Sequence, residues 1–405
     1  MWLLVPWAVL RLLVRARRQR GYSAGIPERF GFYRRKPDLP VIWIHAVSVG
    51  ETRAAEPLIS ALRNRHPDKQ ILLTNMTPTG RETAQELFGE AVLGCYLPYD
   101  LTPAVDRFLN HFNPVSALVM ETELWPTLVA RCHRRGVAIQ LLNARLSERS
   151  ARRYARFPKL TRQMLDELQI ICAQTDRDAI RYRQLGAGRV EVTGNMKFDR
   201  SAPTEQLVLA GQLRQLFGAQ RRVFLAASTR DGEETLLLDA ISNIKERALL
   251  LVIVPRHPQR FDAVADLLRG SGMPFQRRSE GRPIDAATRV VIGDSMGELF
   301  AYYAACDVAF VGGSLLPLGG QNLLEACAVG KPVIVGPHTF NFEEATEQAV
   351  EAGAALRVAN ASMLAATVSM LLANRARAEE IGEAGRRFMQ MHRGATERTL
   401  AAIGL

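Results

Sequence analysis

The chain has no CxxC pair, no HxxxH or HExxH, no GxGxxG and no run of about 20 apolar residues. Each absence removes a class. Five scattered cysteines (95, 132, 172, 306, 327) leave an odd, sparse set, the pattern of reduced thiols in a cytosolic compartment rather than a disulfide framework. Seven unclustered histidines give no dedicated zinc site, and the missing glycine fingerprint disfavours NAD. Glycine (30) and proline (20) are near average in 405 residues, so no long low-complexity linker is expected. Hydrophobic residues at 47% and charged residues at 23% exclude disordered, collagen-like and coiled-coil chains. The length suggests two or three domains.

The formal charge of +11 is unevenly spread. Residues 1–36 carry nine Lys/Arg against Glu28 alone, which accounts for +8. An apolar head (1–14, with Trp2 and Trp7) precedes this basic run. That order fits an anionic membrane surface better than nucleic acid, and the head is too short for an ordinary spanning helix. The expectation is a membrane-associating segment over 1–20, with the basicity a local feature and the flanking arginines keeping the remainder on the cytoplasmic side.

From residue 41 onward, continuously apolar runs alternate with amphipathic ones, the signature of parallel strands covered on both faces. Strands are expected at 41–48, 70–76, 92–98, 115–121, 137–143, 169–174 and 190–194, then at 222–227, 248–254, 289–292, 307–311 and 332–335. Helical runs include 52–65, 79–88, 101–111, 124–135 and 150–168, and then 233–245, 258–269, 296–305, 321–329, 343–352 and 361–373. The pattern weakens over 198–221. Two similar-sized α/β domains joined near residue 205 follow, 21–205 and 206–385, with a helical tail over 386–405 packing near the junction. Polar motifs cluster where strands end, the ligand-binding end of open α/β sheets, and a cleft between facing strand ends is the expected substrate site.

Glu51, after Gly50 at a helix start, is expected to be ionised by the helix dipole and able to take a proton. A first-turn Glu that only stabilises its helix is the plainer alternative. Lys197, after the last strand of the first domain, is a candidate cation for an anionic ligand, or else a turn lysine. Arg256 and His257, in a rigid Pro-Arg-His-Pro loop, suit a phosphate; an arginine that only pairs with a nearby acid is the plainer alternative. Met296, Gly297 and Glu298 are expected to open a helix capped by Asp294 or Ser295, with N–H groups for phosphate or a pyrimidine edge. Asn322, Leu323, Leu324 and Glu325 follow Gly319-Gly320 into another helix, where Glu325 can accept ribose hydroxyls or be a solvated helix acid.

WIHAVSVGE (43–51), METELWP (120–126), NARLSERS (143–150), GNMKFD (194–199), PRHPQRF (255–261), GDSMGEL (293–299) and GGQNLLE (319–325), with the Gly21–Gly31 head, span essentially the whole chain. Together they resemble the Kdo transferases, inverting glycosyltransferases of GT-B fold that move 3-deoxy-D-manno-oct-2-ulosonic acid (Kdo) from CMP-Kdo to a lipid A precursor. Arg230 departs from the family pattern, which has a histidine there.

The resemblance implies two Rossmann-like domains, an acceptor domain followed by a CMP-sugar domain. It makes Glu51 the catalytic base and gives Glu121 and Lys197 a part in stabilising the transition state. It also implies lipid IVA as acceptor, the cytoplasmic face of the inner membrane as location, and no metal or other cofactor. Two rivals stand beside it: a GT-B enzyme using a UDP-sugar and a lipid-linked acceptor, and a non-catalytic protein that binds anionic lipid.

Overall fold

The structure, a computed structural model, describes residues 25–242, 244 and 249–405. The proposed membrane segment 1–20 lies outside them. Among the described residues, no helix is long and apolar enough to cross a membrane. The chain forms two units, one of residues up to Arg200 plus His392–Leu405, the other Ser201–Met391.

The first unit holds a seven-stranded parallel sheet: β1 (Val41–His45), β2 (Gln70–Asn75), β3 (Leu93–Tyr96), β4 (Ser116–Met120), β5 (Ala138–Ala144), β6 (Ile170–Ala173) and β7 (Val190–Val192), in the order β3-β2-β1-β4-β5-β6-β7. Alternate side chains enter different cores. Val41 and Trp43 of β1 join Ala117 and Val119 of β4 in one cluster, while Ile42 and Ile44 join Leu118 and Met120 in the other. A sheet buried on both faces explains why its strands are continuously apolar rather than alternating. Trp43 packs edge-on against Phe108 with centroids 4.8 Å apart and donates its indole N–H to Thr74 Oγ1 at 2.8 Å, so this large side chain is buried without a polar orphan.

The second unit repeats the plan with β8 (Arg222–Thr229), β9 (Leu249–Pro255), β10 (Phe275–Arg277), β11 (Val290–Ile292), β12 (Val308–Val311), β13 (Val333–Val335) and β14 (Ala355–Arg357), ordered β10-β11-β9-β8-β12-β13-β14 and parallel throughout. In each sheet the order reverses between neighbouring strands, at β1/β4 and at β8/β12. Such switch points are where open α/β sheets bind ligands.

Every expected strand is present. The two unexpected ones, β10 and β14, are three-residue edge strands with polar or charged members, too short to leave a pattern. The weak stretch 198–221 contains the helix Thr204–Phe217. It buries Ala210, Leu213 and Phe217 but exposes Leu207 and Val208, and these off-face apolar residues blur its period. The expected helices 52–65 and 150–168 each break in two, with Pro57 and Pro158 in the first turn of the second piece.

The tail divides: the helix Arg375–His392 runs to the end of the second unit, and Ala395–Ile403 belongs to the first. That last helix has no side-chain cap of its own. The Asp199 carboxylate supplies one, accepting the N–H groups of Gly394 (2.6 Å), Ala395 (3.3 Å) and Thr396 (2.6 Å). Leu400 and Ile403 then fill the core beside Ile42 and Ile59. Asp199→Ala leaves these N–H groups without their acceptor. It should lower unfolding free energy by about 1–3 kcal/mol in a urea titration, with Asp199→Asn intermediate because its amide keeps one acceptor oxygen.

Candidate functional site

Glu51 lies in the short helix Val49–Ala54 after β1, and Glu121 follows β4, so the two occupy the switch point of the first sheet. Glu51 is only 8% exposed. Its carboxylate accepts the Val47 N–H at 2.8 Å and the Ser48 hydroxyl at 3.1 Å. Burial, and then the charge of Glu121, outweigh these donors and push Glu51 up to about 8. The expectation of a carboxylate kept ionised by the helix dipole is therefore corrected. A six-residue helix end contributes less than desolvation beside a like charge.

Glu121 has a left-handed backbone (φ 57°), unusual for a residue with a long side chain, and its N–H donates to Leu142 O at 2.9 Å. Lys197 Nζ is 2.7 Å from Glu121 Oε1, with both side chains about one-fifth exposed. Lys197 sits in the 3-10 turn Met196–Asp199, whose Asn195 side chain accepts the Lys197 N–H at 3.0 Å. The Met196 N–H reaches Asn143 Oδ1 at 3.0 Å. Asn143 is also left-handed (φ 51°), and its buried Nδ2 has no partner among the described residues.

Glu123 joins the cluster: burial raises its carboxyl, a hydrogen bond from Trp125 lowers it, and Glu121 raises it further. His45, at the end of β1, is fully buried and pushed down to about 4, so it is neutral. The first unit thus gathers three carboxylates and one ammonium, an arrangement suited to holding a proton on one member while a cation faces an anionic ligand.

In the second unit, Arg256 follows β9, and its Nε donates to Gln321 Oε1 in the loop after β12 at 3.2 Å. His257 is pushed down by burial and then by the guanidinium groups of Arg256 and Arg230. Asn322 Oδ1 accepts the Leu324 N–H at 3.1 Å. Leu323 and Leu324 are buried in the core, so only their main chain can meet a ligand. Glu325, in the helix Leu324–Ala328, is 6% exposed, which excludes a solvated helix acid.

The helix expected at 296 starts at Leu299. Neither Asp294 nor Ser295 caps it. Asp294 accepts the Ser279 N–H and hydroxyl (2.8 and 2.6 Å), and Ser295 donates to Glu298 Oε2 at 2.6 Å. Glu298 also pairs with Arg278 at 3.5 Å, Met296 is exposed, and Gly297 takes φ 79°. The structure joins Arg256 to the loop that leads to Glu325, and turns Glu298 toward Ser295 and Arg278 instead.

Sequence reasoning gave no role to Glu233. It is fully buried at the β8/β12 switch point, and its carboxylate accepts the N–H groups of Arg230, Gly313, Ser314 and Leu315 at 2.6–3.0 Å. It thereby clamps the loop after β12 to the loop after β8. An ideal Cβ on Gly312 would lie 2.6 Å from Ser228 O, so only glycine lets the two approach.

Among the described residues, no group of three or more His, Cys, Asp or Glu could hold a metal ion. Asp176-Arg177-Asp178 has DxD spacing, but Asp178 is taken up locally by the Leu146 N–H (2.7 Å) and the Thr175 hydroxyl (2.6 Å).

Residues 24–200 match the family described as 3-deoxy-D-manno-octulosonic-acid transferase (kdotransferase), and residues 234–388 match glycosyl transferases group 1. A 3-deoxy-D-manno-octulosonic acid transferase of Bordetella pertussis is 43% identical over 415 residues, covering 99% of this chain and 96% of that protein. Its counterpart from Haemophilus influenzae is 41% identical, covering 94% and 90%. A solved glycosyltransferase from Rickettsia africae superposes with a TM-score of 0.62 at 14% identity, covering 91% of this chain and 98% of that one, which shows the shared two-sheet glycosyltransferase fold. With a buried carboxylate beside a lysine-paired one at the switch point of one parallel sheet and an arginine-bearing loop beyond the other, the chain belongs to the 3-deoxy-D-manno-octulosonic acid transferase family of glycosyltransferases.

Proposed function

We propose that the protein moves Kdo from CMP-Kdo to lipid IVA with inversion, at the cytoplasmic face of the inner membrane and without a metal or other cofactor. The observation that carries this reading is the buried Glu51 carboxylate beside the Glu121–Lys197 pair, in a chain that belongs to this family.

In the reaction, an acceptor hydroxyl oxygen bonds to the anomeric carbon of Kdo. The bond from that carbon to the phosphate oxygen breaks, and its electron pair leaves with CMP. The hydroxyl proton passes to Glu51. A carboxylate destabilised by burial and by Glu121 is a stronger base than a solvated one, provided it starts ionised. Lys197, aimed by Glu121, faces the Kdo carboxylate. Arg256, oriented by Gln321, meets the departing phosphate, so the negative charge that develops there needs no divalent ion. His257, the main chain of Met296–Glu298 and Asn322–Leu324, and the Glu325 carboxylate complete the CMP contacts.

Glu51→Gln keeps size and polarity but cannot accept the proton. Its kcat should fall by about 10²–10⁴-fold while donor affinity, supplied by the second unit, holds in a calorimetric titration with CMP. A kcat near that of the native enzyme would remove Glu51 as the base.

The pH profile carries a second test. Glu51 must lose its proton to act, so kcat/KM, which reports ionisation of the free enzyme, should rise with pH through about 8. Glu121→Gln removes a like charge that raises Glu51, so the midpoint should move to lower pH. An unmoved limb would show that another group controls it.

Glu325→Ala should raise the KM for CMP-Kdo by roughly tenfold or more, the equivalent of a lost charged hydrogen bond of about 1.5–3 kcal/mol, and leave the KM for lipid IVA nearly unchanged. Equal effects on both would assign Glu325 a structural part.

A further inference from the structure

The NARLSERS motif leads into a stretch whose charge the proposed reaction leaves unused. Between 145 and 163 the chain carries seven Arg/Lys and one acid, Glu148. Basicity is therefore not confined to the first 36 residues.

The structure folds this stretch into two short helices, Glu148–Tyr154 and Pro158–Asp166, joined by 155–157. The first buries nothing fully. Its Ala151 and Tyr154 lean on the core, while Arg149, Arg152, Arg153 and, in the following turn, Arg156 are all exposed. Arg149, Arg152 and Arg153 are i, i+3 and i+4 on one helix face, and Arg156 extends this arginine stripe into the turn just beyond it.

Of the four, only Arg152 has an acid partner among the described residues, a 3.5 Å pair with Glu148 in which both side chains are over 70% exposed. Like charges four apart destabilise a helix, so the stripe lowers the stability of the element that carries it. Phe157, at the tip between the helices, is 67% exposed, and Leu160 beside it is 50% exposed. The second helix sends Thr161, Met164 and Leu165 inward, which leaves Leu160 and Lys159 on the outer side.

We infer that this hairpin is a second membrane-docking surface, whose arginines meet anionic phospholipid headgroups and whose Phe157 and Leu160 enter the interface. The inference rests on the membrane-side reading above and extends it to the folded part of the chain. Charge complementarity selects an anionic surface, and the two apolar side chains at the tip select a bilayer over a nucleic acid. Such side chains gain nothing from a phosphate backbone but gain from the acyl boundary.

The test uses the full chain, with its N-terminal head present throughout. It measures flotation with vesicles of phosphatidylethanolamine and phosphatidylglycerol, or of phosphatidylcholine alone. Replacing Arg149, Arg152, Arg153 and Arg156 by Gln should weaken partitioning to anionic vesicles by up to several hundredfold, at roughly fivefold per cation near the surface, and the loss should shrink in 0.5 M salt. Phe157→Ser with Leu160→Ser should lower partitioning severalfold in a way salt does not alter.

Both variants should turn over a detergent-dispersed acceptor like the native enzyme, which separates docking from chemistry. Native partitioning by the arginine variant would overturn the inference, as would native binding to an oligonucleotide tighter than to anionic vesicles. Neither outcome touches the transferase reading, which fails separately if the native enzyme transfers no Kdo to the dispersed acceptor.

Discussion

Placing one carboxylate in a dry pocket beside another is unfavourable, and the first unit is organised around doing so at Glu51. The Val47 N–H and the Ser48 hydroxyl hold it, without bringing it back to an ordinary carboxylate range. Glu121 is kept in place by a left-handed turn and by Lys197. Lys197 in turn depends on the turn 196–199, pinned through Asn195 and Asn143, and Asp199 at the end of that turn caps the last helix of the unit. Four consecutive residues thus tie the electrostatics of the site to the packing of the fold. A substitution among them is expected to mix effects on rate and on stability.

The second unit solves a different problem. The loop after β12 packs its main chain against the loop after β8, which needs a fixed shape without large side chains. Glu233 provides it from inside, receiving four N–H groups from two loops. Its carboxyl is raised by burial and lowered by those donors. In the first unit the buried carboxylate is left with two donors and a raised proton affinity, and in the second it is consumed by structure. The contrast lies in how many N–H groups converge on each.

Much of this was legible in the residues. Twelve strands announced themselves because both sheet faces are covered, and the motifs fell at strand ends because the strands are parallel. Edge strands β10 and β14 escaped because three residues carry no period, and the helix Thr204–Phe217 escaped because Leu207 and Val208 point away from its core. Glu51 was legible as a position but not in its proton affinity, which depends on Glu121, seventy residues away in the chain. Glu233 was expected only as the first residue of a helix, since nothing local says that its carboxylate will meet the N–H groups of 313–315. The arginine stripe was visible in spacing, but total charge concealed it, since acids elsewhere cancel it in the sum.

The helix Ala395–Ile403 has a consequence for synthesis. It completes a core whose other members lie before residue 200, so almost two hundred residues of the second unit must emerge from the ribosome before it can seat. The unit that begins folding first is the last to close, and Ile42, Ile59 and their neighbours wait with an open slot while the other forms. At about 5–20 residues per second that interval lasts on the order of ten seconds or more, long enough for a chaperone to find the exposed groove.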